Sequence, residues 1–582
     1  MEPSIKVVNA ETNIDYIKFR KGINFHSNLE GNSNLDRKRT VWVIHKLNDL
    51  KIVEKISPCS IILAAPFESE EQFAPITIPF QYKKYLKNGK LTLIISPDAK
   101  VQAQALAGLI DIEKFDSWEP LIDEGTLTRN TNEVREFYKI IGEQLNIRNL
   151  NKSTNLIMSK YFVRNTLINA PLALKTIQLS SRKESSSENP VLIVATGPSL
   201  DKQLPILKKY QDLYTIIAVD TAWPILSKNS ITPDYLVALD PTSQPSWELN
   251  SIDENTFFTV DAGCAPGLVW SNDKNHVFTA SYEPSARILS RMGIAIERME
   301  TGGSVATTAF NIGRHLGGKP IILIGQDLAL TDGRDHAEGY LFKYAENVLD
   351  RAKKTGFMVE GYHGDQVETE RQLLYYKLWY ENVIAASPDL MVINATEGGA
   401  KISGCLQIPF DTVSKELKQF IKKAKTKNSI EQPEIDKEKL SALIDNISTL
   451  ISDAQEYISL AKSGEFIAST FEKKTQNLVF DEIDDINQRI LSYDATTRFV
   501  VDVFSTRFME NVRKTTKQDS TRKSAKRALD KYGSIYKEIQ KSGRECIAML
   551  KRIRDFYEEL QNSSDSRDTL IKELMEDEAV KF

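Results

Sequence analysis

Short, nearly continuous apolar runs follow one another through the middle of the chain, and segments with helical periodicity separate several of them. Seven such runs lie at 190–196, 214–220, 235–240, 256–261, 276–281, 320–327 and 390–394. Apolar runs of this length without polar alternation predict strands that are buried on both faces. Their alternation with helices predicts a mostly parallel, Rossmann-like sheet in a central α/β domain over residues 185–410.

The flanking segments have different patterns. Before the centre, apolar runs at 41–44, 60–65 and 91–95 and helical periodicity over 130–180 predict a smaller α/β domain over residues 1–180. The polar, Ser-rich segment 180–188 is typical of a linker. Beyond residue 411, apolar residues recur at helical spacing, for example Leu440, Leu443 and Ile447. They predict an all-helical C-terminal domain, 411–582, of long antiparallel helices.

Composition narrows the function classes. The 582 residues carry 75 Lys and Arg against 79 Asp and Glu, a formal net charge of −4, which argues against a general nucleic-acid binder. The four cysteines form no C-x-x-C pair, so we expect neither a disulfide framework nor a cysteine zinc site. The first residues lack the pattern of a secretory signal, and no apolar run is long enough for a membrane span. A soluble, cytoplasmic protein is expected.

The strongest local signal is ATGPSLD, residues 195–201. A predicted strand ends at Thr196, and Gly197-Pro198-Ser199 turns into a helix that Ser199 could cap. Glycine at a strand end lets a ligand approach the backbone, and the first N–H groups of a helix can bind an anion. A strand–turn–helix corner without a ligand explains the motif equally well.

A second glycine cluster and three strand-end acids indicate the same kind of site. Thr301-Gly302-Gly303 precedes Ser304, which we expect to cap a helix. Asp220, Asp240 and Asp327 each end a predicted strand, and ligands of open α/β sheets bind at these ends. The pattern favours a phosphate-bearing ligand in one crevice, although glycines that only permit close packing remain an alternative. Glu397-Gly398 would lie at the same edge, either beside a nucleotide base or in a simple turn.

The sequence lacks several motifs that are typical of nucleotide and metal sites. The chain has neither a G-x-x-x-x-G-K-[ST] phosphate loop nor a G-x-G-x-x-G motif after the first central strand, and no Asp-x-Asp ends a central strand. We therefore expect a ligand with one phosphate, no metal site and no cofactor. His336 and His363 follow Asp327 in glycine-containing loops, and either could be a general base, with Asp327 a further catalytic candidate. For each histidine taken singly, a solvated loop residue is the favoured alternative.

These motifs resemble those of the bacterial motility-associated factor (Maf) proteins, which are flagellin glycosyltransferases. The resemblance covers residues 190–405 and rests on five segments: ATGPSLD (195–201), VDTAWPILSKNSITPDYLVALD (219–240), GGSVATTAFNIGRHLGG (302–318), IILIGQDLALTDGRDHAEG (321–339) and NATEGGAKISG (394–404). The family's central domain is similar to bacterial sialyltransferases that use CMP-sialic acid. The resemblance implies donor contacts from two loops, Thr196–Ser199 and Thr301–Ser304. It also implies a catalytic histidine after 321–327, where His336 and His363 lie.

The implied reaction is inverting transfer of a nonulosonic acid, of the pseudaminic or legionaminic type, from its CMP ester to a Ser or Thr hydroxyl of flagellin. Flagellin is then the partner, and the C-terminal helices are the candidate acceptor-binding region. Two alternatives stay open. The central motifs also resemble a pterin pyrophosphokinase of archaea, which needs ATP and Mg²⁺, and the chain could instead be a non-catalytic flagellin-binding assembly factor. The sequence leaves the oligomeric state open.

Overall fold

The computed structural model divides into two compact units, Met1–Asn155 and Leu156–Phe582. It describes residues 6–8, 16–17, 40–44, 61–64, 76–77, 91–95, 103, 106–107, 117–121, 131–182, 189–242, 252–272, 275–340, 356–421, 434–470, 476–502, 522–562 and 567–581. Most of the Ser-rich segment, 183–188, lies outside the described residues. The expected division at 180, 185 and 411 stays a prediction.

The first unit contains a five-stranded sheet in the order β1-β6-β4-β3-β7. Its strands, with a separate two-stranded pair β2-β5, are β1 Lys6–Val8, β2 Tyr16–Ile17, β3 Thr40–Ile44, β4 Ile61–Ala64, β5 Ile76–Thr77, β6 Leu91–Ile95 and β7 Ser117–Leu121. The three apolar runs predicted as strands are confirmed as β3, β4 and β6. Apart from the antiparallel pair β1-β6, the strands of this sheet pair in parallel.

The second unit is built on a nine-stranded sheet in the order β13-β12-β11-β10-β9-β8-β14-β17-β18, with every pair parallel. The strands, including the antiparallel hairpin β15-β16, are β8 Val191–Val194, β9 Thr215–Val219, β10 Tyr235–Ala238, β11 Phe257–Asp261, β12 His276–Ala280, β13 Glu297–Arg298, β14 Ile321–Ile324, β15 Phe357–Glu360, β16 Gln366–Thr369, β17 Val392–Asn394 and β18 Leu406–Gln407. All seven predicted runs contain a strand of this sheet. Since these strands are buried on both faces, the unalternated pattern predicted them correctly.

Helices cover this sheet and form the C-terminal region. They are α1 Thr131–Ala173, which crosses from the first unit into the second, α2 Leu200–Tyr210, α3 Trp223–Lys228, α4 Pro266–Trp270, α5 Glu283–Arg291, α6 Val305–His315, α7 Arg371–Ala385, α8 Phe410–Phe420, α9 Lys437–Ser469, α10 Gln476–Ser492, α11 Ala495–Asp502, α12 Arg522–Asn562 and α13 Arg567–Glu576. The expected fold class is confirmed: a parallel α/β sheet, a smaller N-terminal α/β unit and a helical C-terminal region.

The C-terminal helices pack antiparallel, as predicted. The side chain of Gln561, at the end of α12, donates to Ser441 at the start of α9, while Tyr536 near the middle of α12 lies against Gly464 near the end of α9. A single core runs from the sheet into these helices, because Trp270 of α4 packs edge-on against Phe556 of α12. Among the described residues, no helix combines the length and apolar character needed to cross a membrane.

Candidate active site at the carboxyl edge of the sheet

The predicted site residues lie in loops at one edge of the nine-stranded sheet. The chain leaves β8 towards β9 and later returns to β14 on the other side of β8. The strand order therefore reverses between β8 and β14, and open α/β sheets bind their ligands at the carboxyl ends of strands beside such a reversal. The loops after β8, β9, β10, β14 and β17 carry most of the candidates to this edge. The start of α6 carries Thr301–Ser304, and the turn between β15 and β16 carries His363.

The loops after β8 and β14 are joined through the buried carboxylate of Asp327. Its Oδ2 accepts a hydrogen bond of 2.7 Å from Ser199 Oγ, its Oδ1 accepts one of 2.7 Å from Thr331 Oγ1, and the Ser199 N–H lies 3.3 Å from both oxygens. Burial raises the pKa of Asp327 above its usual value, although these hydrogen bonds oppose the shift. The expectation that Ser199 caps α2 with its side chain was wrong, because its hydroxyl donates to Asp327 and makes no capping hydrogen bond.

Gly197 is a glycine because of this contact. A Cβ atom there would lie 2.0 Å from Asp327 Oδ2 and 2.5 Å from the carbonyl oxygen of Gly325. The carboxylate of Asp327 thus occupies the space beside the Gly197 backbone, at the start of α2. The alternative of a close-packed corner fits this turn, and the buried Pro198 belongs to the same corner.

Glu397 and Gly398 also make contacts within the protein at the carboxyl edge of the sheet. Glu397 Oε1 accepts the backbone N–H of Phe410 at 2.7 Å, so this side chain satisfies the first residue of α8. A Cβ at Gly398 would lie 3.4 Å from the Ser199 Cβ and 3.5 Å from Asp327 Oδ1. These contacts favour the structural-turn interpretation of the third motif.

The start of α6 is more open. Ser304 caps it as predicted, with its Oγ accepting the Thr307 N–H at 3.2 Å and Thr307 completing a capping box. Thr301 and Gly303 are exposed, and Gly302 and Ser304 are half-buried. The N–H groups of the first two helical residues, 305 and 306, have no acceptor within the helix by its geometry, so this is a candidate anion-binding helix start.

Gly302 holds this start against α7. A Cβ at Gly302 would lie 2.5 Å from the indole ring of Trp379, so no larger residue fits without a shift of one element. The backbone N–H of Gly302 also donates to Thr307 Oγ1 at 2.9 Å. The turn before α6 is therefore fixed from two sides, by Trp379 of α7 and by Thr307 of its own helix.

Two acids follow the neighbouring strands β9 and β10, against which α6 packs. Asp220 Oδ1 accepts the Thr221 N–H at 2.8 Å, and Asp240 Oδ1 accepts the N–H and hydroxyl of Thr242 at 2.8 and 2.6 Å. Burial raises the pKa of Asp220 to about 7, and the negative charge of Asp240 contributes to the shift. The two carboxylates are close enough to interact, although no Asp-x-Asp motif in the sequence indicated a pair.

The loop that carries His336 folds back onto the end of β8. The Ala337 N–H donates to the carbonyl oxygen of Thr196 at 2.8 Å, and Thr196 Oγ1 lies 2.8 Å from Thr221 Oγ1 beside Asp220. The His336 ring stacks on Tyr340 with centroids 3.8 Å apart, and its Nδ1 lies 3.1 Å from an oxygen of Asp335. Stacking on Tyr340 therefore holds the imidazole in a loop tied to Thr196, and Thr196 in turn contacts the residues after β9.

His363 occupies a different part of the edge. It lies in the exposed turn between β15 and β16, and the neighbouring Tyr362 N–H donates to the carbonyl oxygen of Gly399 at 2.9 Å. This turn therefore packs beside the loop after β17, whereas the His336 loop packs on the loop after β8. The structure separates two candidates that the sequence could not rank.

Two polar residues that the sequence analysis did not select hold this edge together. Asp201 accepts the Glu338 N–H at 2.9 Å and pairs with Arg334 at 3.0 Å, which fixes both sides of His336. Gln203, buried in α2, donates to the carbonyl oxygens of Ala395 and Thr396 and accepts the Gly325 N–H at 3.0 Å. A polar residue on the otherwise apolar stripe of α2 was the available signal for Gln203.

Among the residues that the structure describes, no group of three or more His, Cys, Asp or Glu side chains is placed to hold a metal ion. Asp220 and Asp240 are a pair of carboxylates rather than such a group.

The chain is similar to several known proteins. A family model described as 6-hydroxymethylpterin diphosphokinase MptE-like matches residues 164–333. A protein of Treponema pallidum (strain Nichols), described as uncharacterized, is 31% identical over 91 residues, and the match spans 15% of this chain and 41% of that relative. The structure of a MAf glycosyltransferase from Magnetospirillum magneticum AMB-1 aligns over 92% of this chain and 82% of its own, with a TM-score of 0.49 and 14% identity. That structure comes from the family that the sequence motifs resemble.

Proposed function

We propose that this protein is a cytoplasmic glycosyltransferase of the Maf type. It transfers a nonulosonic acid from its CMP ester to a Ser or Thr hydroxyl of flagellin. The observation that carries the proposal is the contact between the His336 loop and the end of β8, where Ala337 N–H meets the Thr196 carbonyl at 2.8 Å. A candidate base is thereby anchored at the sheet edge to which the start of α6 and the Asp220–Asp240 pair also belong.

The donor phosphate is assigned to the start of α6 rather than to that of α2. Asp327 already lies at the entrance to α2, and a second anion there would meet its carboxylate. At α6 the exposed Gly303 and the capping Ser304 leave the helix start accessible. The positive end of the helix dipole then favours a phosphate at this point.

The transfer needs no reactant besides the CMP-activated donor and the acceptor hydroxyl. The bond between the donor phosphate oxygen and the anomeric carbon breaks, and CMP leaves with the bonding electrons. The acceptor hydroxyl oxygen forms the new bond to the anomeric carbon from the opposite face, and His336 accepts its proton. The N–H groups at the start of α6 would stabilise the negative charge that develops on the leaving phosphate.

A pterin diphosphokinase activity is the second candidate. The family model that matches residues 164–333 carries this description. That reaction transfers a diphosphate from ATP and uses Mg²⁺, for which carboxylates are the usual protein ligands. Asp220 and Asp240 could supply two of them, since they interact at neighbouring strand ends. For this activity the two acids would be the central groups, and the His336 loop would have no assigned role.

Thermal-shift measurements separate the two candidates. We expect CMP to raise the melting temperature of the wild-type protein, because a ligand that binds only the folded state stabilises it. ATP with Mg²⁺ and 6-hydroxymethylpterin should have little effect. Ser304→Ala should reduce the CMP shift, whereas Ser459→Ala, an exposed-helix serine control in α9, should not. A shift with ATP, Mg²⁺ and the pterin but none with CMP would support the diphosphokinase and contradict the glycosyltransferase.

A further inference from the structure

An open groove of about 530 Å³ lies between α9 and α10. Ile467 of α9 and Ile486 of α10 form part of its lining, and Asp481, Glu482 and Asp485 contribute acidic side chains from α10. Arg489 lies in the same lining and adds one positive charge. The groove is therefore partly apolar, with more negative than positive charge.

Two large apolar side chains are exposed on the two helices that line this groove. Phe466, next to Ile467 on α9, is 70% exposed, and Leu478 on α10 is 48% exposed. Leu478 precedes Asp481, Glu482 and Asp485 by three, four and seven residues, so helical spacing places these four residues on one face of α10. Leu478 thus adds an exposed apolar side chain to the acidic face of α10, and apolar surface rimmed by polar residues is typical of a binding site.

We infer that the groove between α9 and α10 docks a basic amphipathic helix of a partner protein. Apolar side chains of such a helix would cover Ile467, Leu478 and Phe466, and Lys or Arg residues on its flanks would meet Asp481 and Asp485. This is the helix-in-groove mode of peptide recognition, with complementary charge selecting the partner. An anionic membrane or a nucleic acid would be repelled by the same carboxylates. The inference rests on the proposed function only in that the partner would be the acceptor protein.

Binding of synthetic peptides to the full-length protein tests the inference. The probe is a fluorescent helical peptide of about 18 residues with Leu on one face and Lys on the other, and its counterpart carries Glu at every Lys position. We expect the Lys peptide to bind and the Glu peptide to bind at least about tenfold more weakly. The double variant Asp481→Lys/Asp485→Lys should lose at least about tenfold in affinity for the Lys peptide and gain affinity for the Glu peptide.

Two control variants distinguish docking in the groove from a general electrostatic attraction between the Lys peptide and the protein. Asp445→Lys changes an exposed acid on α9 that is 18 residues from Ser463, about 27 Å along the helix. It should leave the affinity for the Lys peptide within about threefold of the wild type, and Phe466→Ser should weaken binding without a change of charge. Equal binding of both peptides, unchanged binding by the double variant, or an equal loss with Asp445→Lys would each overturn the inference. Because the assay contains no donor, its failure leaves the CMP measurement above unaffected.

Discussion

At the scale of single residues, Asp327 is best understood as a positioning residue. The sequence indicated a catalytic acid at the end of β14, but both carboxylate oxygens accept hydrogen bonds, from Ser199 and Thr331. Only 2% of the residue is exposed. We therefore propose that Asp327 acts through the loops it joins and does not contact the substrate.

Replacement of Asp327 should mainly affect stability. Asp327→Ala leaves the hydroxyls of the buried Ser199 and the half-buried Thr331 without their acceptor, so we expect the free energy of unfolding to fall by about 2–3 kcal/mol. Urea denaturation followed by tryptophan fluorescence measures the loss. Asp212→Ala, which removes an exposed carboxyl, is the control and should stay within about 0.5 kcal/mol of the wild type. Wild-type stability of Asp327→Ala would contradict the positioning role.

Asp220 should make the stability of the folded protein depend on pH in a distinct way. Its pKa is about 7 in the folded chain against an ordinary value of 3.8, first because of burial and then because of Asp240. Between about pH 4 and 7 the folded chain thus retains a proton that the unfolded chain has released. Stability consequently falls as the pH rises through this window and levels off above about 7.

Asp220→Asn removes this contribution. The difference in melting temperature, variant minus wild type, should become more positive as the pH is raised from about 5 to about 7. Other buried acids, such as Asp261, titrate in both proteins, so the difference between the two curves isolates Asp220. A difference that is constant across this pH range would show that Asp220 ionises normally in the folded chain.

At the scale of elements, the start of α6 depends on its contact with α7. Gly302→Ala places a Cβ against the indole ring of Trp379, so α6 or α7 must move. We expect CMP affinity to fall at least about tenfold, which corresponds to about 1.4 kcal/mol, as measured by titration calorimetry. Gly533→Ala is the matched control, since nothing lies within 4 Å of a Cβ there. It should bind CMP normally and gain up to about 1 kcal/mol of stability. Equal CMP affinities of the two variants would show that the start of α6 is not part of the donor site.

The sequence predicted elements better than it predicted contacts. Buried parallel strands have a local signal, the unbroken apolar run, and each of the seven runs contains a strand. The cap of α6 was also predictable, since Ser304 and its helix are adjacent in the chain. The Ser199–Asp327 contact joins residues 128 positions apart, and no local pattern reveals that a carboxylate fills the entrance to α2. For the same reason the sequence could not show that the His336 loop, rather than the turn with His363, packs on the loop after β8.

At the scale of the whole molecule, Arg291 connects the sheet region to the C-terminal helices. Its guanidinium binds Asp453 of α9 and Asp494 before α11, and also donates to Thr497 at 2.9 Å. Arg291→Ala leaves these partners without their cation, and we expect faster hydrogen exchange in α9 and α11, with about 1–3 kcal/mol lost. Lys462→Ala, an exposed cation of α9, should exchange like the wild type. Unchanged exchange in Arg291→Ala would mean that apolar packing alone holds these helices.

The most direct test of the proposed activity is the intact mass of flagellin after incubation with this protein and a CMP-activated nonulosonic acid. The wild-type protein should add the mass of one or more nonulosonic residues and release CMP in equal amount. His336→Ala should abolish both products while retaining CMP binding, and His363→Ala should retain activity. An unchanged flagellin mass with no CMP released by the folded wild-type protein, for both the pseudaminic and the legionaminic donor, would contradict the proposed transfer.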